Sequence, residues 1–159
     1  MTITKIKYNG KKVQIMYRKP VTGGEPDEYS LACSDAPRRE FITALEALAP
    51  YARDLCELGQ DDPQRWIVKG ASLSYAGEND TLGAVLILER KLHESNVNLN
   101  IVTPIKIEEF YAGGRKVGDP KQLMPQGMVD AVYELIHEAE AYVAGQRAQQ
   151  LQQLPEGAK

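Results

Sequence analysis

Two runs of alternating apolar and polar residues flank Asn9-Gly10 in the stretch ITKIKYNGKKVQIMY, residues 3–17. Asn-Gly favours a type I′ turn, because both central residues of that turn have positive φ. The stretch therefore predicts an antiparallel hairpin with a two-residue turn. Such a turn fixes the register, which we predict as Tyr8 opposite Lys11, Lys7 opposite Lys12, Ile6 opposite Val13, and Lys5 opposite Gln14.

The hairpin separates apolar side chains from basic ones. We expect a core face that carries Ile6, Tyr8, Val13, Ile15 and Tyr17. The other face carries Lys5, Lys7, Lys12, Gln14 and Arg18, with Ile3 and Met16 at its far end. Two lysines directly opposite each other cost a few tenths of a kcal/mol. A bound anion would relieve this repulsion between Lys7 and Lys12, and so would solvation of the two side chains.

The rest of the chain continues the strand pattern and adds two helices. Residues 28–33 predict a third strand, and the run Ser34-Asp35-Ala36-Pro37 predicts a helix start. That helix ends at Gly59, and Pro50 should divide it near Ala49. We predict three more strands, over residues 65–75, 81–91 and 97–102, and we expect Ile67 in the first of them to face the core. A last helix is predicted over about 125–149. The order β-β-β-α-β-β-β-α predicts an α+β fold: an antiparallel sheet of about six strands with two amphipathic helices on one face.

Length and composition place this chain among single-domain globular proteins. We expect one domain over residues 1–148, followed by a Gln-rich flexible tail over 149–159. Residues 104–127 predict a long irregular connection. The longest apolar run covers only residues 84–88, so we expect no membrane association, and no secretory signal is visible. Cys33 and Cys56 form no metal or redox motif, which favours reduced core thiols and a cytoplasmic location.

Charge is distributed unevenly along the chain. The net charge is −3, yet residues 1–20 carry six bases and no acid, whereas the remaining residues carry thirteen bases and all twenty-two acids. We interpret the basic segment as a surface for nucleic acid, nucleotide phosphate or an acidic protein. The alternative is an ordinary solvated face. A net charge this small excludes a DNA mimic and a high-affinity, non-specific duplex coat.

A second basic element lies in the glycine-rich segment GGRKVG, residues 113–118. Its backbone N–H groups, with Arg115 and Lys116, could contact a phosphate, although the segment lacks the Lys-Ser/Thr ending of a P-loop. The alternative is a plain connection. If the segment folds beside the hairpin, the predicted anion-binding site comprises Lys5, Lys7, Lys12, Arg18, Arg115 and Lys116.

No pattern in the sequence predicts catalysis. No Gly-x-Ser-x-Gly motif occurs, and neither cysteine has basic neighbours that would lower a thiol pKa. Glu134 and His137 have the Glu-x-x-His spacing of di-iron bundles, but the second copy and further inward glutamates are missing. The acidic loop around Asp61 is typical of an ordinary helix-following turn. We therefore expect no enzyme activity, no metal and no cofactor.

Several segments resemble small accessory proteins encoded by tailed bacteriophages and prophages. They are the helix start SDAP at 34–37, the strand that contains Gly83, NIVTP at 100–104, and the closing GQRAQ at 145–149. This resemblance implies the cytoplasm of the host cell and carries no catalytic motif. Phage proteins of this size often serve DNA replication and recombination, or counter host defence by binding.

The first functional hypothesis is a non-enzymatic phage accessory protein that binds nucleic acid, in DNA replication or recombination, through the basic hairpin. Tyr17 or Tyr111 would be available for base stacking. The alternatives are an interaction protein that inhibits or adapts a host protein or defence system, and a protein that sequesters a small nucleotide. Asn98 and Asn100 share one strand face, which could contact a ligand or another subunit. We also expect a homo-oligomer.

Overall fold

Seven strands form the main sheet in a computed structural model that describes residues 1–112 and 114–148. The strands are β1 (Thr2–Tyr8), β2 (Val13–Lys19), β3 (Asp27–Cys33), β4 (Trp66–Ala76), β5 (Thr81–Arg90), β6 (Leu99–Val102) and β7 (Lys106–Ile107). Their order is β3-β2-β1-β4-β5-β6, and β7 pairs with β5 beyond the end of β6. Every pair is antiparallel, so the predicted α+β fold with an antiparallel sheet is confirmed.

Three helices accompany the sheet: α1 (Arg39–Glu46), α2 (Ala49–Leu55) and α3 (Gln126–Val143). The predicted first helix is divided into α1 and α2, because Pro50 has no N–H to donate and is accommodated only in the first turn of a new helix. The core joins the helices to one sheet face through Phe41 and Leu48 on the helix side, and through Ile6, Ile15 and Leu86 on the sheet side, all at most 1% exposed.

The hairpin turn is longer than predicted. Tyr8 pairs with Val13, Lys7 with Gln14, and Ile6 with Ile15, so the predicted register is wrong by two residues. The side-chain oxygen of Asn9 accepts hydrogen bonds from the backbone N–H groups of Lys11 and Lys12, at 2.9 and 2.8 Å, and this holds both lysines in the loop. Lys7 therefore does not face Lys12 across the strand pair. Because the shift is even, Lys5, Lys7 and Gln14 keep their predicted face, and Ile6, Val13 and Ile15 keep theirs in the core.

Two β-bulges change which residues face the core. In β1 the register shifts between Ile3 and Lys5, which turns Ile3 into the core at 1% exposure, although we predicted it on the opposite face. In β4 the register shifts between Val68 and Gly70. Trp66 and Val68 are therefore buried, and Ile67, predicted to face inward, lies on the other side. A prediction from strict alternation of apolar and polar residues does not account for such an extra residue.

The region predicted as irregular, 104–127, contains ordered elements. Besides β7 it includes a separate hairpin of β8 (Phe110–Ala112) and β9 (Arg115–Val117), then a short 3₁₀ turn at Pro120–Gln122. The predicted flexible tail, 149–159, lies outside the described residues. Among the described residues, no helix has the length and apolar character needed to cross a lipid bilayer.

Candidate nucleic-acid interface

The sheet face opposite the helices, here called the open face, combines basic, amide and apolar side chains. Pairing places Lys5 beside Ser72, Lys7 beside Gly70, and Ile87 beside Val102 on this face. Its side chains are accessible because the three helices pack on the other face. The open face is therefore the part of the sheet that can receive a ligand.

A cavity of about 340 Å³ lies on the open face, at the end of the sheet where β1 turns into β2. We call it the basic groove. Its polar lining comprises Lys7, Asn9, Lys12, Gln14, Lys69, Glu89 and Asn100, and the rest of its lining comprises Tyr8, Ile87, Leu88, Ile101 and Val102. Ligand pockets in proteins start near this size and usually combine an apolar surface with a few polar groups.

Three lysines from different parts of the chain meet at the basic groove. Lys7 comes from β1, Lys12 from the Asn9–Lys12 loop, and Lys69 from the bulge in β4. No carboxylate lies within 4.0 Å of any of the three ammonium groups in the part of the chain that the structure describes. Three unpaired cations around one concave surface concentrate positive potential there, and an anion would relieve their mutual repulsion.

The groove also has one acidic residue. Glu89 is half-buried, and its Oε1 accepts a hydrogen bond of 2.9 Å from the side-chain amide of Asn98. Glu89 pairs with Asn100 across β5 and β6, so both asparagines that the sequence analysis singled out are neighbours of Glu89. The groove therefore has lysines along β1 and β4, and an acid with neutral amides at β5 and β6. Such an asymmetry would orient any ligand that carries a phosphate at one end.

Five of the six cations predicted as one site have described side chains, and these five lie in three places. Lys7 and Lys12 line the basic groove, and Lys5 lies on the same face, opposite Ser72. Arg18 pairs with Thr2 at the other end of the hairpin and lines a different cavity of about 550 Å³. Arg115 is exposed near the tip of the β8–β9 hairpin. The structure therefore does not join Arg18 or Arg115 to the groove.

Two predicted residues, Lys116 of the second basic element and Tyr111 proposed for base stacking, cannot be placed by their side chains. The side chains of Lys116 and Tyr111 lie outside the part of the chain that the structure describes. The base of their hairpin, Phe110, lines a cavity with the turn between β4 and β5, which is the opposite end of the sheet from the Asn9–Lys12 loop. Separation by the length of the sheet explains why the two basic segments are not adjacent.

The aromatic residue predicted for base stacking is already engaged. Tyr17 stacks on Tyr29 with 5.2 Å between ring centroids, and the Lys19 ammonium lies 5.9 Å from the Tyr17 centroid and 5.3 Å from that of Tyr29. These contacts are a cation–π cluster on neighbouring strands. Tyr17 also lies outside the lining of the basic groove.

Lys69 and Glu89 are the groove residues that sequence reasoning missed. Both lie in stretches predicted only as strands, residues 65–75 and 81–91. A signal for Lys69 was present, because Gly70 follows it inside a strand pattern, and an isolated strand glycine often marks a bulge. Gly70 has room only for hydrogen, since an added Cβ would lie 1.8 Å from the backbone oxygen of Ile6.

Two carboxylates outside the groove have structural partners. Asp61 accepts hydrogen bonds from Arg90 at 2.5 and 2.8 Å and from the Trp66 indole at 2.6 Å, and these hold the pKa of Asp61 well below its usual value. Glu138 of α3 is 3% exposed and accepts three hydrogen bonds from Arg38. The described residues contain no cluster of three or more His, Cys, Asp or Glu side chains that could hold a metal ion.

No protein-family model matches this chain, and neither a curated protein nor a solved structure matches it. The functional argument therefore depends on the geometry of the basic groove itself.

Proposed function

We propose that this chain binds single-stranded nucleic acid without catalysis, with phosphates at Lys7, Lys12 and Lys69. The observation that supports this most strongly is the convergence of these three lysines on one cavity, with no carboxylate within 4.0 Å among the described residues. Lysine ammonium groups are common ligands of phosphate, and their binding is electrostatic and independent of sequence.

The shape and lining of the groove favour a single strand over a duplex. Unpaired bases can leave the strand and lie on an apolar surface, whereas paired bases keep their faces stacked inside the helix. Ile87 and Val102, neighbours across β5 and β6, offer such a surface beside the lysines. Asn100 supplies both a donor and an acceptor for the edge of a base.

Glu89 sets the direction of the ligand. Its carboxylate repels phosphate, so the backbone of the strand would follow the lysine side of the groove and the bases would lie toward β6. A carboxylate only accepts hydrogen bonds, so it suits the amino and imino groups of bases. A free nucleotide is the second candidate ligand, because the cavity volume of about 340 Å³ is that of a small-ligand site.

The biological setting that we propose rests only on the resemblance of the sequence to phage accessory proteins. It is the cytoplasm of a bacterium that carries the phage, where the protein would act as an accessory factor in DNA replication or recombination. The groove supports the binding activity in this proposal.

The test is fluorescence anisotropy with a labelled single-stranded oligonucleotide of about ten nucleotides and its duplex at low salt. The combined Lys7→Gln, Lys12→Gln and Lys69→Gln variant should lose about tenfold or more in affinity for the single strand. Arg39→Gln removes one positive charge from the helix layer, where Arg39 is exposed, and should bind as the wild type does.

Three results would contradict the proposal. They are no binding by the wild type, equal binding by the triple-glutamine variant, and tighter binding of the duplex than of the single strand. Full competition by a mononucleotide at the same molar concentration as the oligonucleotide would assign the groove to a small nucleotide instead.

A further inference from the structure

The two edges of the main sheet differ in how open they are to another strand. At one edge, β6 has only four residues, Pro104 follows closely, and β7 adds two residues beyond the interruption. Short, interrupted edges with proline resist pairing with a further strand. The edge formed by β6 and β7 is therefore protected.

The other edge, β3, is longer and uninterrupted, and Pro26 precedes the strand without interrupting it. β3 has seven residues and pairs with β2 in an unbroken register from Cys33 opposite Val13 to Asp27 opposite Lys19. It contains no proline, lysine, arginine or bulge, and five of its seven residues are exposed. No other strand within residues 1–112 and 114–148 pairs with its outer side. Its outward N–H and C=O groups form a template for strand addition.

We propose that β3 pairs antiparallel with β3 of a second copy of this chain, about a two-fold axis through Ser30. In this register Asp27 lies opposite the partner's Cys33, Glu28 opposite the partner's Ala32, and Tyr29 opposite the partner's Leu31. All seven residues find a partner, and no acid faces an acid. A register centred on Leu31 would instead place Asp27 opposite the partner's Asp35, which like-charge repulsion disfavours.

A second copy fits this edge better than an unrelated strand does, because a two-fold interface must be complementary to itself. The uncharged stretch Tyr29–Leu31 meets itself in the proposed register, and the two acids at the start of β3 meet the uncharged residues at its end. Tyr29 is 42% exposed and brings apolar area to the contact. The edge is about 23 Å long, which is short for a stable interface, so we expect a reversible dimer.

The experiment measures mass by sedimentation velocity over a concentration series. The wild type should rise from the monomer mass of 17.7 kDa toward twice that value as concentration increases. Ser30→Lys and Ser30→Glu each place like charges at the two-fold axis and should raise the dimer dissociation constant about tenfold or more. An equimolar mixture of the two variants should restore the dimer, since opposite charges then meet.

Gln60→Lys is the matched control, because Gln60 is exposed in a loop after α2, and this variant should dimerise as the wild type does. A wild type that stays at 17.7 kDa throughout would overturn the proposal. So would a dimer that Ser30→Lys leaves unchanged, or a mixture that fails to restore it. Circular dichroism confirms that each variant folds. These masses are measured without nucleic acid, so the result is independent of the proposed function.

Discussion

Gly70→Ala tests the close approach of β1 and β4 on which the basic groove depends. An added Cβ would lie 1.8 Å from the backbone oxygen of Ile6, and 2.9 Å from the Cα of Lys7. Ordinary van der Waals contacts begin near 3.4 Å, so the two central strands must separate locally by more than 1 Å. Ile6 is fully buried, and its packing and the ladder hydrogen bonds at Lys7 are disturbed together.

We expect Gly70→Ala to lower the free energy of unfolding by about 3 kcal/mol or more, at the upper end of overpacking effects, because backbone rather than a flexible side chain must move. Urea denaturation followed by circular dichroism measures this. Gly24→Ala is the matched control, since its Cβ would lie 3.6 Å from the Val21 side chain, and it should change stability by less than about 0.5 kcal/mol. A Gly70→Ala protein as stable as Gly24→Ala would refute the close approach.

Three further predictions concern acid stability, the core and the groove. Arg90 lowers the pKa of Asp61 in the folded state, so ionised Asp61 stabilises the fold above about pH 4, and this contribution is lost as the pH falls further. Asp61→Asn should therefore have a lower free energy of unfolding than the wild type at pH 7. The difference between the two should shrink in acid titrations. Leu86→Ala should cost about 2–5 kcal/mol in chemical denaturation, whereas Leu58→Ala, at a residue 48% exposed, should stay within about 0.5 kcal/mol. Glu89→Gln should strengthen oligonucleotide binding about threefold in anisotropy titrations, since it removes a negative charge that repels the phosphates from the opposite side of the groove.

Alternation and turn residues predicted most of the sheet, because period-two patterns directly reflect which strand face is buried. The division of the first helix was also predictable, since Pro50 lacks the N–H that a continuous helix requires. The positions of the β-bulges, each of which adds one residue to a strand, were not fully predictable. The bulges at Thr4 and Lys69 displaced Ile3 and Ile67 from their predicted faces. Gly70 gave a local signal for the second bulge, whereas no glycine in β1 marks the first.

The hairpin register shows that a turn-forming sequence does not by itself determine the length of the turn. Asn9-Gly10 suited a two-residue turn, yet the Asn9 side chain accepts hydrogen bonds from both Lys11 and Lys12 and extends the loop to four residues. This is the known tendency of asparagine to bond with the backbone two or three residues ahead. The difference moved Lys12 out of the strand pair and to the rim of the groove.

The candidate site was only partly visible in the sequence because it is assembled from distant segments. Lys7 and Lys12 lie in the basic stretch that the charge count identified, whereas Lys69 reaches the groove only through the pairing of β1 with β4. Charge counting also grouped Arg18 and Arg115 with them, which the topology places elsewhere. Sequence proximity indicates charge density, and strand order determines which charges meet.

The salt dependence of oligonucleotide binding tests most directly whether the three groove lysines contact phosphates. For three contacts on a single strand, the logarithm of the affinity should fall against the logarithm of salt concentration with a slope of about −2, and Lys69→Gln should reduce the steepness by about 0.7. Arg39→Gln should leave the slope unchanged. A flat salt dependence, or a Lys69→Gln slope equal to that of the wild type, would contradict the assignment of the basic groove as the phosphate-binding surface.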